Sequence, residues 1–272
     1  MRVMRRERFM PVSRFLAAAT MLSLAAACGD GGSTAGDGLP PEISAAPMPP
    51  YETMPLDTVG RIEGTIAWEG TIPSDSIANV PPSLVRVCRT NRLRLTPVRV
   101  TRGTVSGAVL WLGDARRGKP LPASRRFELA TDRCRLMPGV QTAIAGGMLN
   151  VLSLDQLEHR LLFTRAGTEG AVGRVEQFDA GQVVPLESVL RLPGPVAVNS
   201  DRYGWMSAWI HVFDHPYFTM SNRGGEFAID SIPPGRYTLV LWHAATGSRD
   251  TMITVAGGDT SRIQLVLPDA SP

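Results

Sequence analysis

From Arg61 the chain alternates. Ile62, Gly64, Ile66 and Trp68 fall on one side of an extended backbone, and Arg61, Glu63, Thr65 and Ala67 on the other. A period of two is what a strand buried on one face requires, because successive side chains point to opposite faces. Short runs of the same kind recur at 105–112, 127–129, 148–152, 183–192, 206–213, 227–229, 237–241, 251–255 and 263–267, with glycine or proline in most of the gaps. No stretch carries a sustained 3.6-residue apolar period with caps. The pattern predicts an all-β fold of antiparallel β-sandwiches.

The first sixty residues do not share it. A basic stretch holding Arg2, Arg5, Arg6, Arg8 and Arg14 precedes an apolar run over 15–27, which at 1.5 Å per residue reaches about 20 Å, short of a bilayer core. That is the layout of a secretory signal, not of an anchor helix. The run ends Leu24-Ala25-Ala26-Ala27-Cys28, which resembles the bacterial lipobox, where small residues fit the peptidase and the next thiol takes a diacylglyceryl group. The resemblance implies a lipoprotein signal peptide over 1–27 and a lipid anchor at Cys28; an ordinary Ala-Xaa-Ala cleavage is the alternative. Gly29, not Asp, follows Cys28, which resembles the outer-membrane sorting class. The expected location is the bacterial cell envelope, exported and lipid-anchored, on the outer membrane facing the periplasm. Residues 28–59, rich in Gly and then Pro, read as a flexible tether with a reach of about 30 Å.

Composition narrows the function classes. With 272 residues, 43% hydrophobic and 19% charged, the chain has apolar material for one or two cores, and no apolar run approaches twenty residues. The formal charge of +3 invites a nucleic-acid reading, but loss of residues 1–27 removes five arginines and one glutamate and leaves −1. No nucleic-acid partner is expected. Of three cysteines, Cys28 is taken by the anchor, which leaves Cys88 and Cys134 either as a disulfide, suited to an oxidising compartment, or as two thiols.

The segment 225–239, Gly-Glu-Phe-Ala-Ile-Asp-Ser-Ile-Pro-Pro-Gly-Arg-Tyr-Thr-Leu, reads as a strand, a Pro-Pro-Gly turn and a strand whose Tyr237 packs inward. It resembles the carboxypeptidase regulatory-like, or transthyretin-like, domain. That family's first two strands resemble 61–68 and 105–112, which implies a discontinuous sandwich over 60–120 and 215–268. The intervening residues 121–214 resemble a cupredoxin, in particular the plastocyanin-like modules of bacterial envelope proteins. The matching residues are Asp214-His215-Pro216-Tyr217-Phe218, Asp132-Arg133-Cys134-Arg135 and Asp155-Gln156-Leu157-Glu158-His159, with Asp155 four residues before the position of the first copper histidine.

A blue-copper site needs two imidazoles, a thiolate and usually an axial thioether. The family supplies the last three from Cys-Asp-Xaa-His-Pro-Trp-Met, and this chain has Ser200-Asp201-Arg202-Tyr203-Gly204-Trp205-Met206 in that place. Ser200 replaces the cysteine and Tyr203 the second histidine, while His159, Trp205 and Met206 are retained. A hydroxyl and a phenol are poor substitutes for a thiolate and an imidazole, so the resemblance implies a degenerate copper site and no cofactor.

Other candidates are weaker. His211 and His215 are spaced for chelation on a helix, but Trp209, His211 and Phe213 alternate with Ile210 and Val212, a strand pattern that puts the two histidines about 13 Å apart. They are expected to be exposed or hydrogen-bonded histidines, and His243 to pack and hydrogen-bond. Arg86, Arg89, Arg92, Arg94, Arg99 and Arg102 fall within residues 86–102 without an acid, either a docking strip for lipid phosphates or acidic glycans or a solvated strand face. There is no Gly-Xaa-Ser-Xaa-Gly elbow and no His-Glu-Xaa-Xaa-His helix; Ser200 and His159 meet in a cupredoxin fold, but sequence assigns no carboxylate to orient them. The chain reads as a non-enzymatic envelope lipoprotein that binds or scaffolds another envelope component, a protein or a glycan. The alternative is a copper-binding or electron-transfer protein using a non-standard ligand set around His159 and Met206.

Overall fold

A computed structural model describes residues 50–268, the side chains of Gln177 and Phe178 excepted. The expectations for the signal segment, for Cys28 and for the tether up to residue 49 lie outside the described residues. No helix among the described residues is long and apolar enough to cross a membrane.

The alternation from Arg61 becomes the strand Gly60–Glu69, with Ile62 and Ile66 wholly buried. Glu226–Ile232 pairs with it on one side, followed along the same sheet by Thr104–Ser106 and Arg99–Thr101; Thr260–Pro268 lies along its other side. The facing sheet runs Phe218–Met220, Val109–Leu112, Gly235–His243 and Gly247–Val255. Between the two sheets sit Ile62, Ile66, Leu110, Leu112, Ile229, Leu239, Leu241 and Leu267. Each such aliphatic side chain contributes roughly 1.5–3 kcal/mol by leaving water. Gly64 is required by close approach, since a Cβ there would lie 1.9 Å from the Ile263 carbonyl oxygen.

A second pair of sheets is built from residues 126–213. One sheet orders Arg135–Met137, Arg126–Asp132, Met148–Ser153 and Val183–Leu186, and the other Val140–Ile144, Ser207–Phe213, Gly194–Ser200, His159–Arg165 and Ala171–Phe178. Their shared core holds Leu129, Leu149, Val151, Leu161, Phe163, Val196, Val198, Ile210 and Val212. Most pairs are antiparallel, as expected. Three long pairs are parallel: Gly60–Glu69 with Thr260–Pro268, Arg126–Asp132 with Met148–Ser153, and Val140–Ile144 with Ser207–Phe213. Parallel neighbours need long connections, and short-range alternation carries no record of them.

Several local expectations change. The apolar run 183–192 is a strand only to Leu186; Ser188–Leu190 is a 3₁₀ turn that drives Val189 and Leu190 into the core. The buried Arg165 holds this turn, donating through Nη2 to the Val189 carbonyl at 2.8 Å and through Nη1 to that of Pro193 at 2.7 Å. A one-turn helix, Val85–Cys88, ends where Arg89 takes a left-handed φ of 56°. Residues 50–59, expected as the end of the tether, are partly docked: Glu52–Thr53 pairs with Arg117–Gly118, and the Tyr51 hydroxyl donates to the Lys119 carbonyl at 2.6 Å.

Two further clusters join these parts. The hairpin Ser76–Asn79 with Arg92–Leu95 and the helix between its strands bury Val80, Cys88 and Leu93 against Cys134, Leu157 and Trp205. This segment therefore packs on the second sandwich although it precedes most of the first in sequence. The disulfide Cys88–Cys134 pins it, with Cα atoms 5.1 Å apart. The second cluster is a seam between the sandwiches, where Val109, Trp111, Phe218 and Trp242 meet Ile144, Trp209 and Phe213. Three of the five tryptophans of the chain lie there, so aromatic burial is spent on the seam more than on either core.

Candidate functional site

The positions singled out by the copper motif converge at one end of the second sandwich. Ser200 ends its strand opposite Leu161, two residues beyond His159 on the neighbouring strand. The loop that follows folds back: the Ser200 amide donates to the Met206 carbonyl at 3.1 Å and the Met206 amide to that of Tyr203 at 2.8 Å. The Ser200 hydroxyl oxygen accepts the amides of Tyr203 at 3.1 Å and Arg202 at 3.3 Å, the local turn chemistry that serine favours. Met206 and Ser200 are buried and His159 is wholly so.

Aromatic contacts fill the space. Tyr203 meets His159 edge-on with ring centroids 5.9 Å apart and lies 5.6 Å from Trp205. Trp205 donates its indole N–H to the Cys134 carbonyl at 3.1 Å. His159 Nε2 stands 3.6 Å from Asp155 Oδ2, and that same oxygen accepts the Cys134 amide at 3.0 Å. Asp155 thus links the histidine to the disulfide turn.

These residues do not fit a type-1 copper ion. The thiolate position is a hydroxyl committed to two amides, the second imidazole position is a phenol, and both described cysteines are joined to each other. Among the described residues, no group of three or more His, Cys, Asp or Glu is placed to hold a metal ion. Ser200, His159 and Asp155 have the residue types of a nucleophile, base and orienter. They are 7%, 0% and 3% exposed, and the cavities described do not open onto them.

The other histidines are not surface groups. His211 and His215 are 3% and 4% exposed, lie at the seam and line one cavity of about 130 Å³ with Trp111, Arg116, Phe213 and Asp214. Burial pushes both imidazoles down to about 4; at His215 the carboxylate of Asp214 opposes this shift and the Arg116 cation adds to it. His215 Nδ1 accepts the Tyr217 amide at 3.1 Å, which leaves the proton on Nε2 and removes the lone pair a metal would need. His243 does the same with Ala245 at 3.1 Å, and burial lowers its pKa as well. Tyr217, of the Asp-His-Pro-Tyr-Phe segment, is wholly buried, and its hydroxyl accepts the Lys119 amide at 2.9 Å.

The arginine strip of 86–102 is divided. Arg99 and Arg102 belong to the hairpin of the first sandwich, whereas Arg86, Arg89, Arg92 and Arg94 surround the disulfide together with Arg133 and Arg135. The last two were named in sequence only within the segment around Cys134, not with the arginine strip. The available signal was that both paired cysteines are flanked by arginines.

No family model matches this chain, and no curated protein does. The solved structures similar to part of it include cupredoxins. Amicyanin from Paracoccus versutus (Thiobacillus versutus) is 16% identical, with 34% of this chain and 85% of that one covered and a TM-score of 0.28. A point mutant of amicyanin in its reduced Cu(I) form is 10% identical over 35% of this chain and 86% of that one, with a TM-score of 0.29. Auracyanin from Roseiflexus castenholzii is 12% identical over 34% of this chain and 99% of that one, with a TM-score of 0.28. At such scores the two-sandwich architecture rests on the strand registers described above, and no residue role is carried over from these proteins.

Proposed function

We propose that the protein is an exported envelope protein, lipid-anchored at Cys28, whose β-sandwiches bind or scaffold another envelope component without enzymatic chemistry. In this reading the second sandwich is a cupredoxin-like shell whose copper position has become a structural joint. The observation that carries it is Ser200. Its oxygen, at the thiolate position, caps two amides and closes the loop that packs Tyr203 on His159. The disulfide supports an oxidising compartment, since such bonds are rare where thiols are kept reduced.

The test is copper titration of the purified chain followed by native mass spectrometry and visible absorption. The expected result is no stoichiometric copper and no blue band. Tight one-to-one copper, abolished by His159→Ala, would overturn the reading in favour of a copper protein with a non-standard ligand set. For the anchor, intact-mass analysis of the protein from membranes should find acylated Cys28 as the first residue, and Cys28→Ser should remove the acyl mass.

A further inference from the structure

The disulfide gathers charges that the linear sequence separates. Cys88 lies between Arg86 and Arg89, and Cys134 between Arg133 and Arg135, so their bond brings the chain segments that carry four arginines together. Arg135 donates through Nη2 to the Arg94 carbonyl at 2.9 Å, and Arg92 and Arg94 occupy the exposed face of the hairpin packed on the disulfide. All six are exposed except the half-buried Arg135. Among the described residues only two of them meet a carboxylate: Arg94 with Asp75 at 3.4 Å and Arg133 with Asp132 at 3.9 Å.

This positive face contrasts with the rest of the chain. Residues 76–95, the part of it that is continuous in sequence, hold four arginines and no acid, while the chain without residues 1–27 carries −1. The remainder is therefore acidic, and the molecule is electrically polar in a way its net charge hides.

Exposed apolar side chains lie on the elements that carry these arginines or on the strand end beside them. Ile77, paired across the hairpin with Arg94, is 43% exposed. Met137, on the strand that carries Arg135, is 51% exposed. Leu154 is 60% exposed, its amide held by the Thr131 carbonyl at 2.9 Å beside the Cys134 turn.

We propose that this arginine face docks on an anionic phospholipid surface, with guanidinium groups on lipid phosphates and Ile77, Met137 and Leu154 in the interfacial layer. A polysaccharide or a nucleic acid would meet the charge but would give three exposed aliphatic tips nothing to enter; a lipid interface meets both. The inference deepens the proposed anchoring. About twenty residues separate Cys28 from the first described residue, so an anchored chain would hold the face near the bilayer at high effective concentration.

The experiment uses the exported chain carrying Cys28→Ser, without the acyl group, and vesicles of phosphatidylcholine with or without phosphatidylglycerol. Flotation should recover the protein with the anionic vesicles only, and salt should release it. At about fivefold per arginine, Arg89→Gln, Arg92→Gln and Arg133→Gln together should weaken binding on the order of a hundredfold. Ile77→Ser with Leu154→Ser should weaken it several-fold even at low salt, while Arg99→Gln with Arg102→Gln should leave it unchanged. Circular dichroism and non-reducing peptide mapping check that each variant is folded and bridged. Equal binding to neutral vesicles, no binding to anionic ones, or an equal loss from the 99/102 pair would overturn the proposal. Binding to an acidic polysaccharide but not to vesicles would overturn it in favour of a glycan. The anchor is read separately by the mass of Cys28: an acylated chain with no vesicle affinity would sink the docking face alone, and a docking face on a chain without acyl mass would sink the anchor alone.

Discussion

The imidazole of His211 lies with its centroid 4.2 Å from the indole of Trp242, across the seam between the sandwiches. That contact places an ionisable ring among buried walls, and the loss of water there favours its neutral form. His215 and His243 are buried as well, so the seam region holds three imidazoles that resist protonation.

Stability should therefore depend on pH in a particular direction. The folded pKa values of His211 and His215, about 4, lie below the ordinary value of 6.5. The unfolded chain then binds more protons, and stability falls as pH drops from about 6.5 through about 4. Each histidine should cost on the order of 3 kcal/mol over that window, from about 1.4 kcal/mol per unit. Thermal melts between pH 7.5 and 4 should show the decline, and His211→Phe, which keeps the ring but cannot titrate, should roughly halve it, since His215 still titrates. A wild-type melting temperature unchanged from pH 7 to pH 5, or a slope untouched in the variant, would count against this account.

The disulfide should carry a large share of the stability of the segment it pins. It spans 46 residues, and the loss of loop entropy from the unfolded chain corresponds to about 4 kcal/mol on the chain-entropy model. Urea denaturation of Cys88→Ala with Cys134→Ala should show a loss of that order. Protease cleavage of the double variant should begin within 76–95, since Val80, Cys88 and Leu93 belong to a small cluster outside both main cores. Cleavage that starts instead in the sandwich strands would argue that the hairpin is held by packing alone.

Period-two alternation made the strands and their buried faces legible: Ile62 and Ile66 on one side of the first strand, and Ile210 and Val212 opposite Trp209, His211 and Phe213. What covers the second of those faces was not legible. The sheet that closes it brings Val109 and Trp242 from positions a hundred residues earlier and thirty later, and no local pattern records that pairing. The parallel partners were hidden for the same reason. Near the copper-motif positions the sequence named His159, Ser200, Tyr203 and Met206, and they do meet. It did not show that the Ser200 oxygen caps a turn, because that depends on the loop closing onto Met206. The arginine strip failed as a linear unit because the chain passes from the hairpin of 76–95 to another sandwich before Arg99, while the disulfide recruits Arg133 and Arg135.

Gly118 has a φ of 144°, and a Cβ there would lie 1.9 Å from the Tyr217 hydroxyl oxygen. Gly118→Ala should cost about 3 kcal/mol, from backbone strain and the displaced ring. Tyr217→Phe alone should cost about 1 kcal/mol, the value of the hydrogen bond from the Lys119 amide. Combined, the two should cost less than their sum, because removing the hydroxyl removes part of the clash. Strict additivity in denaturant titrations would show that the ring does not press on residue 118.

The four positions that the sequence resemblance aligns with copper ligands allow the most discriminating test. Ser200→Cys alone supplies a thiolate but no second imidazole, and it replaces an oxygen that accepts two amides with a weaker acceptor. It should give at most a weak, easily lost copper species. Ser200→Cys with Tyr203→His also opens the space that the phenol fills against His159, and with His159 and Met206 it completes two imidazoles, a thiolate and a thioether. The double variant should bind Cu(II) and turn blue, since the thiolate supplies the charge-transfer band and the imidazoles the trigonal plane. A new thiol brings a hazard: Trp205 links this loop to Cys134, and a thiolate near a disulfide can exchange with it, so non-reducing peptide mapping must first show Cys88 still joined to Cys134. A folded, correctly bridged double variant that stays colourless would mean that these four positions, although gathered at one end of the sandwich, are not aimed as a ligand set.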